Sequence, residues 1–212
     1  MRRESDRFIR TWLHILAPAF FYVCFRLALK RILGYAVNGF PQMDAVDSGL
    51  VETLILGLML VCTAGFYRTE CKGIRPETPA LALVIRSTFA GVASGIILWF
   101  VSKCLPMQET AGLWKTTAIS LCLLGPIIEE IIYRGLVYER CRTAADSQIA
   151  LWVSALLFAF AHQGFSQVIC SFLVGLALGF LKYKEKSIVA PICMHVAINT
   201  TTLLIGRNMQ AV

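Results

Sequence analysis

Seven stretches of the chain are almost wholly apolar, running over about 12–37, 50–67, 79–102, 113–138, 148–162, 166–182 and 187–206. Most run roughly 17–25 residues, the length at which an α-helix crosses a hydrocarbon core about 30 Å thick. The pattern predicts an all-α fold, a polytopic transmembrane bundle of about seven helices in one integral membrane domain over 1–212. Two stretches fit less well. The first carries Arg26, Lys30 and Arg31, which places its second half at or beyond the membrane interface. The fifth is short, and only the segment 163–166 separates it from the sixth. Gly91 and Gly95, like Gly175 and Gly179, put small residues on one helix face and predict close helix contacts.

Composition agrees with the pattern. The 212 residues are 57% hydrophobic and 16% charged, with a mean hydropathy of +0.68; soluble chains are nearer 45–50% apolar and 25% charged. The net charge of +7 does not indicate a nucleic-acid partner, because the basic residues sit in the short gaps between apolar runs. With the N-terminus in the cytoplasm, twelve of them fall on the cytoplasmic side, among them Arg10, Arg68, Lys72, Arg75, Arg140, Arg142 and Lys182. The other side holds Lys103, Lys115 and Arg207, or six when Arg26, Lys30 and Arg31 are added, with Asp44 and Asp47. That bias orients the chain N-in. The basic start and apolar run of residues 1–25 read as a retained membrane anchor. The eight cysteines include no CxxC pair and read as small buried hydrophobes, with Cys104 alone placed for an outer disulfide.

The polar residues inside the apolar runs carry the chemistry. In the run 125–136, GPIIEEIIYRGL, three charges stand among isoleucines. Unpaired at a bilayer centre they would cost about 8–10 kcal/mol together. Glu130 and Arg134 are four residues apart and share a helix face, the spacing of an intrahelical ion pair. Glu129 is rotated about 100° away and has no such partner. His162 closes one apolar run, and His195 and Asn199 share a face of another. A carboxylate beside imidazoles in a dry site can deprotonate water, and an amide or imidazole N–H can steady an oxyanion. Glu129, His162, His195 and Asn199 therefore supply the parts for peptide hydrolysis without a nucleophilic side chain.

The same residues resemble a known family. Glu129, Glu130 and Arg134 match an EExxxR motif, Phe158 and His162 an FxxxH motif, and His195 and Asn199 a final HxxxN motif; Phe172 and Gly175 look like an intervening FxxG. In that order these motifs resemble the CAAX protease and bacteriocin-processing (CPBP, or Abi) family of intramembrane endopeptidases. The resemblance covers about 113–206 as a catalytic core, with 1–112 as accessory N-terminal helices. It implies a helical bundle around a water-filled cavity open to the cytoplasm. Glu129 and His162 would activate water, His195 and Asn199 would form the oxyanion site, and Glu130, Arg134 and Phe158 would support them. It implies no cofactor and no metal, and the chain has no HExxH. The implied partners are the lipid bilayer and a peptide or protein substrate at the membrane: a prenylated protein, a bacteriocin leader or a signalling-peptide precursor. The expected setting is a bacterial plasma membrane.

Two other classes fit parts of this pattern. A non-catalytic immunity or scaffold protein could keep the fold, and a proton- or solute-coupled transporter could use the same carboxylates. The lack of a visible inverted repeat weighs against the transporter. A cysteine mechanism is disfavoured because Cys193 lies about 200° around the helix from His195. Helix lengths also raise a difficulty of depth. Counted from the ends of their apolar runs, Glu129 and His195 lie about 10–12 Å deep and His162 some 20 Å. They meet only if the fifth helix starts in the cytoplasm or tilts.

Overall fold

A computed structural model of the chain describes residues 2–39, 45–70, 80–104 and 118–210. Asp44, Cys71, Lys72, Arg75 and Lys115 lie outside them. Among the described residues there are seven helices: α1 (Arg2–Gly39), α2 (Ala45–Glu70), α3 (Ala80–Cys104), α4 (118–144), α5 (Ser147–Phe160), α6 (Phe165–Glu185) and α7 (Val189–Gln210). Four spans are long and apolar enough to cross a membrane, Asp6–Leu29, Leu50–Thr69, Leu81–Val101 and Phe165–Glu185. The chain is an integral membrane protein with an all-helical bundle. Helix α5 has 14 residues, about 21 Å at 1.5 Å per residue, and is short of a 30 Å core.

Helix α4 is the centre of the bundle, buried at almost every position from Gly125 to Glu139. Against it pack Ile15, Ala19 and Tyr22 of α1, Leu56 of α2, and Ala150 and Phe158 of α5, in one core cluster with Ile128, Ile132, Tyr133 and Val137. A second cluster, Leu178, Met194 and Ile198, joins α6 to α7. Asp146 starts α5 by accepting the Gln148 and Ile149 N–H groups at 2.7 and 2.8 Å, which satisfies donors a helix start leaves open. The turn from α5 to α6 passes through Gly164 at φ 90°, a conformation that favours glycine.

The paired glycines do bring helices together. On α3, a Cβ at Gly91 would overlap the Met194 carbonyl, and one at Gly95 would lie 2.8 Å from Thr201 Cβ, so α3 lies directly on α7. On α6, Cβ atoms at Gly175 and Gly179 would press on Ala155 and Leu151 of α5.

Helix α4 does not end near residue 138, where the apolar run stops, but continues to Ala144. In its polar last turns Glu139 is buried because its charge is paired, while Arg142 stays exposed. Glu139 takes Lys182 Nζ of α6 at 2.8 Å and Arg142 Nη2 at 2.9 Å. Arg140 Nη1 donates to the His14 carbonyl of α1 at 2.8 Å. The cysteines are less uniform than expected: Cys141 and Cys170 are buried, whereas Cys24, Cys62 and Cys104 are exposed. Cys24 and Cys62 lie within candidate membrane spans, where the surface faces lipid rather than a core.

Packing at the α3–α7 contact leads to a paired test. Gly91→Ala should lower thermal stability in detergent, since forcing a methyl group into a closed contact costs about 1–3 kcal/mol. Gly57→Ala, where the new Cβ meets nothing within 4 Å, should be neutral or slightly stabilising. Equal melting temperatures for the two variants would remove the close α3–α7 contact from the description.

Candidate active site

The backbone of α4 departs from regular α geometry on both sides of the carboxylates. Ser120–Leu124 and Ile131–Val137 are π turns, and Gly125–Glu130 between them is α-helical. Pro126 accounts for the first. Its ring would clash with the carbonyl four residues back, and it has no N–H to give. Widening the turn lets the Gly125 N–H reach Ser120 O. In that register Pro126 leaves the Leu121 carbonyl without its helical donor. Asn199 Nδ2 of α7 fills the gap at 2.9 Å. In the second π turn, Gly135 admits the Tyr67 ring of α2, which would stand 2.7 Å from an added Cβ.

Glu130 and Arg134 form the ion pair their spacing predicts, at 2.9 Å and both fully buried. Arg134 Nη2 also donates to the Gly175 carbonyl at 3.0 Å, and its guanidinium stacks 4.6 Å from the Phe158 ring centre. Glu130 Oε1 faces His195 Nδ1 at 2.9 Å. A carboxylate only accepts, so Nδ1 carries the proton and Nε2 points away from Glu130. Nε2 lies 3.9 Å from Glu129 Oε2.

Glu129 has partners that the sequence did not reveal. Tyr22 OH donates to Oε1 at 2.8 Å, and Arg26 Nη1 pairs with the same oxygen at 2.8 Å. Arg26 Nη1 also reaches Tyr22 OH at 3.3 Å. Both come from α1, in which the motifs show nothing. The charge pattern alone groups Arg26 with the outer interface; in the structure its tip turns inward to a buried carboxylate, and it leaves that charge count. The available signal was the four-residue spacing of Tyr22 and Arg26, one helix face in an apolar run.

Phe158 joins these groups. Its ring meets Tyr133 at 5.5 Å, His162 at 4.8 Å and His195 at 5.5 Å, all edge-on. His162 lies just past the end of α5, partly exposed, and its Nδ1 is 2.8 Å from the Phe158 carbonyl. That carbonyl can only accept, so Nδ1 is the donor and Nε2 holds a lone pair. His162 is also within electrostatic reach of Glu129.

The difficulty of depth disappears with the true length of α4. From Glu129 to Ala144 is 15 residues, and from Ser147 to His162 is 15 more. The first is about 22 Å of helix, and α5, which ends two residues before His162, is about 21 Å, so the two residues stand at nearly the same height across the α4–α5 hairpin. Of the seven residues picked from sequence, Glu129, Glu130, Arg134, Phe158, His162 and His195 are thus brought together. Asn199 lies one turn beyond His195, holding Leu121; its amide has a second N–H to offer.

A cavity of about 470 Å³ opens between α1 and α4, lined among others by Arg10, His14, Ile15, Leu136 and Arg140. Glu129 is not part of its wall. Ile15 and Leu136 each stand seven residues, two turns, from Tyr22 and Glu129. Among the described residues, no group of three or more His, Cys, Asp or Glu is arranged to hold a metal ion.

Comparison with known proteins agrees with these motifs. Residues 111–201 match the family profile described as type II CAAX prenyl endopeptidase Rce1-like. The chain is 26% identical over 158 residues to the UPF0177 protein YajF of Lactococcus lactis, covering 66% of this chain and 76% of that one. It is 33% identical over 85 residues to the UPF0177 protein YbdJ of the same organism, covering 40% of this chain and 36% of the relative. Over 82 residues it is 27% identical to a Bacillus subtilis protein named "Putative membrane peptidase YdiL", covering 39% of this chain and 34% of the relative. No solved structure gives a significant match. The EExxxR, FxxxH and HxxxN motifs all lie within residues 111–201, the stretch that is similar to the Rce1-like CAAX prenyl endopeptidase (CPBP) family.

Proposed function

We propose that this protein is an intramembrane endopeptidase that hydrolyses a peptide bond with water activated by Glu129 and His162. The observation that carries this reading is the half-committed carboxylate of Glu129. Its Oε1 is held by Tyr22 and Arg26, while Oε2 faces His195 Nε2 across 3.9 Å, a separation a bridging water can span. In the proposed reaction a water gives its proton to Oε2 or to the lone pair on His162 Nε2. The hydroxide attacks the peptide carbonyl carbon. His195, whose Nδ1–H is held by Glu130 at 2.9 Å, steadies the oxyanion as an imidazolium through Nε2–H, together with the second N–H of Asn199. When the C–N bond breaks, the held proton passes to the leaving amine. The substrate is a peptide or protein that reaches this depth from the membrane. The basic end of the bundle, with Arg10, Arg140, Arg142 and Lys182, faces the cytoplasm under the positive-inside rule.

Glu130 and Arg134 have a different task in this proposal: they keep the frame intact. Glu130 anchors His195, and Arg134 ties α4 to α6 through Gly175.

The two roles separate by mutation. Membranes holding wild type should show new peptide termini that vanish with Glu129→Gln, while the variant melts close to wild type; mass spectrometry of the termini reads this. Identical termini in both would remove the hydrolytic reading. Arg134→Gln should instead unfold the bundle or cut its yield. It leaves Glu130 as a buried uncompensated charge, at about 3–5 kcal/mol, and thermal melting in detergent measures the loss.

A further inference from the structure

Helix α1 lies outside residues 111–201, which match the family profile, yet it supplies both donors on Glu129 Oε1. We propose that Tyr22 and Arg26 are positioning residues: they clamp Oε1, keep the carboxylate charged, and so leave Oε2 as the oxygen that takes the proton of water. The catalytic half of this inference rests on the hydrolytic reading of Glu129.

The geometry favours a clamp over a simple fastening. The terminal torsion of a glutamate is soft and nearly two-fold, so its two oxygens exchange unless something distinguishes them. Here both donors sit on the same oxygen, at 2.8 Å each. The 3.3 Å contact between Arg26 and Tyr22 closes the triangle. Tyr22 is fixed from behind, since it is buried and its ring stands edge-on to Tyr133 at 6.1 Å. Fastening α1 to the bundle would not need this arrangement, because Ile15 and Ala19 already pack into the core beside Tyr22.

Charge gives the second reason. Around Glu129 stand Tyr22 and Arg26 of α1, Glu130, Tyr133 and Arg134 of α4, His162 near α5 and His195 of α7. Arg134 is already paired with Glu130 at 2.9 Å. Arg26 is therefore the guanidinium that balances Glu129, and it does so from a half-exposed position, with 48% of its side chain accessible. A buried carboxylate stripped of its cation takes up a proton instead, and a protonated Glu129 cannot serve as base.

Dicyclohexylcarbodiimide, an apolar reagent that couples to protonated carboxyl groups, reads that charge state without any substrate. In purified protein, mass spectrometry should show Glu129 labelled about tenfold more in Arg26→Gln than in wild type. Arg26→Lys, which keeps the charge, should stay near wild type. Tyr22→Phe keeps the ring and removes one donor, so it should fall between. Where cleavage is measurable, Arg26→Gln and Tyr22→Phe should lower kcat by up to about 100-fold with KM nearly unchanged, the size expected for a misplaced catalytic group. Equal labelling of Glu129 in wild type and Arg26→Gln overturns the clamp, as does a loss of activity in Arg26→Lys that matches Arg26→Gln. Should the labelling follow the expected order while wild type cleaves nothing, the hydrolytic reading fails and the charge-holding clamp stands.

Discussion

A carboxylate ionised inside a membrane protein has to be matched by a cation at contact distance, because lipid and packed helices solvate it poorly. This chain buries two adjacent ones, Glu129 and Glu130, and much of the bundle follows from neutralising them. Arg134, on the same helix, balances Glu130. Arg26, more than a hundred residues earlier, balances Glu129. Two negative and two positive charges sum to zero, so the four groups carry no net charge into the bundle.

Holding those four charges in register requires helices that approach closely and a central helix that bends its own rules. Gly175 has no side chain, which lets α6 lie on α5 and turn its carbonyl to Arg134. Pro126 forces a wide turn just before the carboxylates, and Asn199 compensates the carbonyl it leaves open. Such π turns recur at functional sites because they rotate the residues that follow. Phe158 then closes the centre, offering its ring edges and face to one guanidinium and two imidazoles.

The legible part of this arrangement was the part written at short range. Residues four apart on an apolar helix announced the Glu130–Arg134 pair and the shared face of His195 and Asn199, and the seven helices followed from run length. Two features were hidden for identifiable reasons. Arg26 near one end of a hydrophobic run looks the same whether it snorkels outward or reaches inward, and only the packing of α1 on α4 decides. The end of α4 was misplaced because Glu139 and Arg142 read as an exit into water. In the fold Glu139 is drawn in by Lys182, a partner on another helix that spacing along the chain does not reveal, while Arg142 pairs with it from an exposed position.

The level stance of Glu129 and His162 bears on how the chain tolerates insertions and deletions. They sit at matching heights on two arms, each 15 residues from the turn that joins α4 to α5. One extra helical turn in either arm would offset them by about 5 Å, further than any hydrogen bond or bridging water reaches. Length changes in this hairpin are therefore harmless only in compensating pairs, or when confined to the joining turn itself. Evolution can lengthen other loops freely, but this hairpin behaves as a ruler, and its two scales have to be recut together.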